Sequence, residues 1–181
     1  MGEAAERFWT VEAFLARGER PEVREELVDG RIVAMAPPRD QHGTIVANAS
    51  YEIRRRLRRP CRVVADTGVR IDETSLFVPD LVVSCSPRDA DGRTVDPVLV
   101  VEVLSPSTRD FDLGRKAYAY SELPSCREIW LVDSEQRWVR VWRRLAEGWS
   151  VSLPMRGSVR FESAVLGDSI ELDALYEESG L

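Results

Sequence analysis

Lysine is almost missing from this chain. Of its 25 basic residues, 24 are arginine and one, Lys116, is lysine. Histidine is as scarce, with His42 alone. Cysteine occurs three times, at Cys61, Cys85 and Cys126, and never in a C-x-x-C pair. A zinc site of the usual kind therefore lacks ligands, and the three thiols read as buried and reduced. No apolar run approaches the roughly 20 residues that cross a bilayer. The first 18 residues hold no basic segment followed by an apolar core, so no secretory signal is expected. The sixth residue is Glu6 rather than Ser or Thr, which argues against myristoylation. A cytoplasmic location is the resulting expectation. Internal repeats and low-complexity linkers are missing too, which leaves one domain over residues 1–181.

What is present describes a globular chain, 44% hydrophobic and 31% charged. Its net charge of −6 is a poor match for a polyanion, unless metal ions bridge carboxylates to phosphate. Thr10 caps a short helix over 10–17. Residues 25–37 read as two strands turned at Asp29-Gly30. A helix over 41–59 carries Ile45, Ala49, Ile53 and Leu57 on one stripe and ends at Pro60. Strands are expected at 62–71 and 76–86, followed by a polar loop at 87–97. The run at 98–104, VLVVEVL, is apolar at consecutive positions, the pattern of a central strand covered on both faces. A helix over 107–123, acidic in its first turns, stops at Pro124. Residues 127–133 and 137–144 pair as hairpin-like strands, and short strands and a turn finish the chain. The class is mixed α/β: a central mixed sheet with helices on its faces.

Within that central strand sits Glu102. An unpaired buried carboxylate is too costly to stay ionised, so it is protonated, paired with a buried cation, or bound to a metal. Asp80 has a similar setting. It follows Pro79, which has no N–H and so marks a strand start or edge. If the two strands are neighbours, Asp80 and Glu102 meet at one end of the sheet, where two carboxylates repel unless a cation lies between them. Mg²⁺ suits such oxygen ligands and supplies what phosphodiester hydrolysis needs. A lysine two residues after the glutamate would face the same way, but Leu104 stands there. Lys116 lies on the following helix, which the short SPST connection can fold back over the end of the strand.

The stretches EELVDGRIVAMAP, VPDLVVS, PVLVVEVLSPSTRDFDLGRKAYAY and REIWLVD, with a histidine after the first, resemble the Uma-type family of bacterial restriction-endonuclease-like proteins in the PD-(D/E)XK nuclease superfamily. The resemblance spans residues 10 to 145. Its most specific part is VVEVLSPST with Asp112, Lys116 and Tyr120 downstream. It implies a restriction-endonuclease-like core, a Mg²⁺ or Mn²⁺ site made by Asp80 and Glu102, and a lysine moved from the strand to the helix at Lys116. Glu26 matches a further acidic site residue, and His42 a histidine near the site. The expected activity is metal-dependent endonuclease cleavage of DNA, and a homodimer is expected because double-strand cleavage needs two sites.

Plainer roles remain open for each residue. Glu102 could pair with a buried arginine, and Asp80 could cap a strand. Lys116 could form a solvated pair with Asp112, worth about 0.3–0.5 kcal/mol. Glu26 could be an exposed hairpin charge, and His42 a helix-start residue bonded to backbone. The run over 54–59, five arginines in six residues, is either a phosphate-binding face or the solvated side of a helix. The tryptophans of RWVRVWRR read as core. The alternative to the nuclease is a non-catalytic nucleic-acid-binding or assembly module on a nuclease-derived fold, dimerising through the aromatic hairpin at 129–142.

Overall fold

In a computed structural model of the chain, residues 8–18, 23–88 and 92–181 are described. Residues 1–7, at the start of the segment searched for a leader, and 89–91, inside the polar loop at 87–97, fall outside them. Helix α1 (Val11–Ala16) starts at Thr10, whose Oγ1 accepts the Ala13 N–H at 3.2 Å. β1 (Glu25–Val28) and β2 (Arg31–Ala34) form the expected antiparallel hairpin. Its turn needs positive φ at both Asp29 (47°) and Gly30 (73°), which these two residue types accept most readily.

Helix α2 (Asp40–Arg54) buries Ile45, Ala49 and Ile53 completely, and truncating either isoleucine to alanine costs roughly 2–5 kcal/mol. The helix ends five residues before the expected 59, because its packing runs out first. Leu57 is only partly buried, and an unpacked helical end has little to hold it. Arg55 and Arg56 fold back onto Glu52.

The strands expected over 62–71 and 76–86 are each two strands. The first divides into β3 (Arg62–Ala65) and β4 (Val69–Arg70), the second into β5 (Leu76–Phe77) and β6 (Leu81–Ser84). Both breaks have a backbone cause. Asp66 has positive φ (48°), and Pro79 cannot donate to a ladder. At each break the chain passes between two sheets. β4 and β5 belong to a four-stranded sheet in the order β2-β1-β5-β4, while β3 and β6 belong to the main sheet.

β7 (Leu99–Leu104) is buried at all six positions. It pairs antiparallel with β6 and parallel with β8 (Glu128–Asp133). Parallel neighbours need a crossover, and α3 (Arg109–Phe111), one π turn (Asp112–Lys116) and α4 (Ala117–Glu122) supply it. β9 (Trp138–Arg144) lies antiparallel to β8, as expected. β10 (Trp149–Val151) and β11 (Met155–Arg156) share its far edge, giving the path β10-β9-β8-β7-β6-β3. β12 (Arg160–Ser163), β13 (Asp168–Glu171) and α5 (Leu172–Leu175) close the chain. Trp138 is buried and Trp142 and Trp149 half-buried, their rings 6.5 Å apart edge to face. Arg144 caps the carbonyls of Ser121, Leu123 and Cys126 rather than projecting as a free basic edge.

Alternation along β7 sorts its side chains. Leu99, Val101 and Val103 join the core with Ile45, Ala49 and Ile53, whereas Val100 and Leu104 join the core with Ala117 and Tyr120. Glu102 therefore faces the crossover helix. The pairing of Leu81 with Val101 sets Asp80 beside Glu102, with the same parity as Val82.

One expectation about the cysteines is overturned. Cys126 is buried and free, but Cys61 and Cys85 form a disulfide. The register explains it: Arg62 faces Ser84, so the next residues outward on the two strands stand opposite each other. That pairing is invisible when β3 and β6 are read separately.

Candidate active site

Lys116 is the hub. The π turn widens the helix by one residue at this point, a feature common at functional positions, and Lys116 closes it. Its Nζ lies 2.7 Å from Glu26 Oε1, 3.3 Å from Glu102 Oε1 and 3.5 Å from Asp112 Oδ1. Lys116 is 2% exposed, and Glu26, Glu102 and Asp112 are 3% each. The solvated Lys116–Asp112 pair is thus a buried cluster of one ammonium and three carboxylates. Phe77 and Phe111 set their rings 5.8 and 6.0 Å from the ammonium.

Each carboxylate has its own anchor. Glu26 Oε1 also accepts the Val78 N–H at 2.8 Å, which ties β1 to the chain leaving β5. Glu26 is therefore no exposed hairpin charge; it sits behind Lys116. Glu102 Oε1 accepts the Tyr120 O–H at 2.8 Å, and no protein donor among the described residues reaches its other oxygen. Asp112 Oδ1 is buried without a hydrogen bond and has only the ion pair with Lys116.

Asp80 stands to one side of this cluster. Its Oδ2 accepts the Val103 N–H at 2.7 Å and lies 3.4 Å from His42 Nε2. Its Oδ1 faces Arg24, with Nη1 at 3.3 Å and Nη2 at 3.4 Å. His42, on the first turn of α2, thus contacts a site carboxylate. Asp80, Glu102, Asp112, Lys116, His42 and Arg24 all line one cleft of about 270 Å³. Its rims are the loop at 35–39 and the SPST connection, where Ser105 Oγ and Thr108 Oγ1 are 2.9 Å apart.

The electrostatics follow from burial. Burial raises Glu102; Lys116 opposes this, but Asp80, Asp112 and Glu26 add to it, and the carboxyl is pushed up to about 8. Asp112 is raised for the same first reason, against the pull of Lys116. Burial alone would lower Lys116, yet Glu102, Glu26 and Asp112 outweigh it and hold the ammonium above its ordinary range. Burial would also raise Asp80, but His42, the Val103 N–H and Arg24 reverse the sign and lower it. His42 is raised: burial works against its charged form and Asp80 overcomes that. Tyr120 is raised well above its usual value, chiefly by burial.

Three residues of the site were not picked out from the sequence as site residues. Asp112 and Tyr120 flank Lys116 at intervals of four, which puts all three on one helical face, and that spacing was a usable signal. Arg24 had none, being one arginine among 24. The arginine run lies elsewhere: it follows the C-terminal end of α2, whereas His42 and Gln41 bring the N-terminal end to the cleft. Two of its members are neutralised by Glu52, and Arg56 also by Asp168.

A mixed sheet whose central strand delivers a glutamate to a cleft beneath a crossover helix defines a restriction-endonuclease-like α/β domain. A solved structure described as a putative nuclease belonging to DUF820, from Anabaena variabilis ATCC 29413, shares the fold. It has a TM-score of 0.75 at 18% identity, over 93% of this chain and 98% of that one. The family model Uma2, described as putative restriction endonuclease, matches residues 11–174, and the chain belongs to this family. Two relatives come from Synechocystis sp. (strain ATCC 27184 / PCC 6803 / Kazusa). Uncharacterized protein slr1290 is 31% identical, covering 91% of this chain and 90% of its own. Uncharacterized protein sll1609 is 28% identical, covering 72% and 77%.

Nucleases of this fold generally use divalent metal ions, and the donor set here fits one. Asp80 and Glu102 present hard oxygens to the same cleft, and Glu102 is under-neutralised by its protein partners. Among the described residues no cluster of three or more acidic, histidine or cysteine ligands is assembled. Two carboxylates completed by water and substrate phosphate suit Mg²⁺ better than a full protein cage.

Proposed function

We propose that this protein is a metal-dependent endonuclease that hydrolyses phosphodiester bonds in DNA. The observation that carries the reading is the buried contact of Lys116 with Glu26 and with Glu102 of the central strand, beside Asp80. Asp80 and Glu102 would hold Mg²⁺ or Mn²⁺, which when bound polarises a phosphate oxygen and makes a bound water nucleophilic near neutral pH.

The chain's own residues do the rest. Tyr120 fixes the rotamer of Glu102 through its O–H, leaving the second oxygen for the cleft. The Val103 N–H and His42 fix Asp80 from the opposite side. Lys116 keeps its proton at physiological pH, so it is not a base. It acts as a fixed positive charge and N–H donor that orients the attacking water and stabilises charge on the phosphate. Glu26 holds Lys116 from behind and lies outside the cleft lining, which makes it a positioning residue rather than a ligand. A homodimer would bring two such clefts to the two strands of a duplex.

Incubation of purified protein with plasmid DNA tests this. Cleavage is expected with Mg²⁺ or Mn²⁺, none with chelator, and none for Glu102→Ala. Equal cleavage by wild type and Glu102→Ala would remove the catalytic assignment.

One observation favours a second reading, a non-catalytic nucleic-acid-binding or assembly module. Both Asp80 oxygens already have protein donors, and Lys116 faces three carboxylates, so every carboxylate of the site has a partner within the chain. That reading predicts no Mn²⁺ binding at Asp80 and Glu102. Calorimetry of wild type against Asp80→Ala separates the two, because the nuclease requires a binding event that the variant loses.

A further inference from the structure

Arg24 is a charged cleft residue that the mechanism above leaves unused. It immediately precedes β1, and its guanidinium touches three acceptors at once. Nη2 donates to the Val78 carbonyl at 2.6 Å, lies 3.1 Å from Asp66 Oδ1, and lies 3.4 Å from Asp80 Oδ1. Nη1 adds a second contact to Asp80 Oδ1 at 3.3 Å. Every cation that Asp80 would ligate has to share that carboxylate with these donors.

We propose that Arg24 is the resident counter-cation of Asp80: a positioning residue that holds this carboxylate in the metal-free protein, yields Oδ1 to an incoming divalent ion, and withdraws to Asp66. The inference rests on the metal reading above and extends it to how the site loads.

The choice of Arg24 as the group that yields follows from what holds the other donors. The Val103 N–H belongs to the buried central strand and cannot leave Oδ2 without moving β7. His42 is buried on the first turn of α2. The Arg24 side chain is 25% exposed, and its contacts to Asp80 are the longest it makes. A dication about 2.1 Å from Oδ1 would stand no more than about 5.4 Å from the nearer guanidinium nitrogen, and two like charges repel strongly in a poorly solvated cleft. Arg24 already has somewhere to go. The Val78 carbonyl keeps its bond, and the Asp66 carboxylate, 67% exposed and held at the turn between β3 and β4, takes the charge. The same side chain borders the cleft and a neighbouring hollow that Asp66 also lines, so the move is a change of rotamer and not of fold.

The arrangement has a use before metal arrives. Asp80, immediately before β6, sits beside Glu102 of β7, and Lys116 makes no ion pair with Asp80 among the described residues. Arg24 supplies the positive charge on the Asp80 side that Lys116 supplies on the Glu102 side.

Calorimetric titration of the full chain with Mn²⁺ tests the proposal, with Asp80→Asn marking the site. Arg24→Gln removes the competing charge, and Mn²⁺ is expected to bind roughly tenfold tighter, the scale of one charge-assisted hydrogen bond. Asp66→Asn, which fits the positive φ at that turn, leaves Arg24 with Asp80 as its only carboxylate and is expected to weaken Mn²⁺ binding severalfold. If Arg24→Gln fails to fold, Asp66→Asn, which leaves Arg24 in place, carries the test by itself, and Mn²⁺ binding equal to or tighter than wild type in that variant overturns the handover. Binding to the Arg24 variant that equals or falls below wild type overturns the handover and leaves the metal reading standing. No Mn²⁺ binding to wild type or to the Arg24 variant overturns both.

Discussion

Replacing Lys116 with methionine keeps the length of the side chain and removes its charge. The variant leaves Glu26, Glu102 and Asp112, each 3% exposed, facing one another around an apolar group. Had Lys116 been half of a solvated helical pair, the loss would be about 0.3–0.5 kcal/mol. Removing one partner from a buried ion cluster costs roughly 3–5 kcal/mol instead. In a domain of this size that lowers the melting temperature by roughly 6–20 °C. The pH dependence has a definite sign. The Lys116 pKa is raised above its ordinary 10.5, so its contribution is complete below that value and is lost only as pH rises through the higher folded value. Lys116 therefore stays charged from pH 5 to pH 8.5 in the wild type, while Glu102, at about 8, ionises against it toward the top of that range. In the variant, Glu102 and Asp112, whose pKa values are already raised by burial, take up protons as pH falls and no longer need a cation. The deficit should be largest at pH 8.5 and shrink toward pH 5. Urea denaturation of both proteins at the two pH values measures it. A deficit under about 1 kcal/mol, well below the buried-pair range, or one that does not change with pH, would refute the buried-cluster argument.

Tyr120→Phe keeps the ring packed against Phe77 and deletes only the O–H to Glu102; a loss of about 1.5–3 kcal/mol is expected from chemical denaturation above the Glu102 value of about 8, where the acceptor is charged. Burial pushes the Cys126 thiol up to about 12, so iodoacetamide at pH 8 should leave it unmodified in the native protein and label it after denaturation. Without reductant, denatured chains should titrate with one thiol each; three would contradict the Cys61–Cys85 disulfide. Changing Arg54, Arg58 and Arg59 together to alanine should leave the cleavage rate unchanged, since α2 separates them from the cleft by roughly 20 Å at 1.5 Å per residue. A large loss of rate would place substrate on that end of the helix.

The most legible parts of the fold were those written in local pattern. VLVVEVL announced a central strand because consecutive burial leaves no polar face, and β7 is that strand. Asp29-Gly30 announced its hairpin through backbone preference alone. The two overlong strands run together in the sequence because strand-like residues lie on both sides of a short break: RVVA and GVRI flank Asp66-Thr67, and LFV and LVVS flank Pro79-Asp80. The convergence of Glu26 with Glu102 bridges two sheets, and no local pattern encodes it; the family resemblance drew attention to Glu26, and a single lysine among 25 basic residues drew it to Lys116. Arg24 and the disulfide depend on which segments lie side by side, and composition carries no trace of either.

On the proposed function, Asp80 and Glu102 form one metal centre served by Lys116. Anomalous diffraction from a crystal grown with Mn²⁺ tests it most directly. One peak is expected about 2.1 Å from an oxygen of each carboxylate, with Arg24 turned off Asp80 Oδ1 and Lys116 still against Glu26. A peak at any other pair of residues, or none at this cleft when Mn²⁺ is saturating, would contradict it.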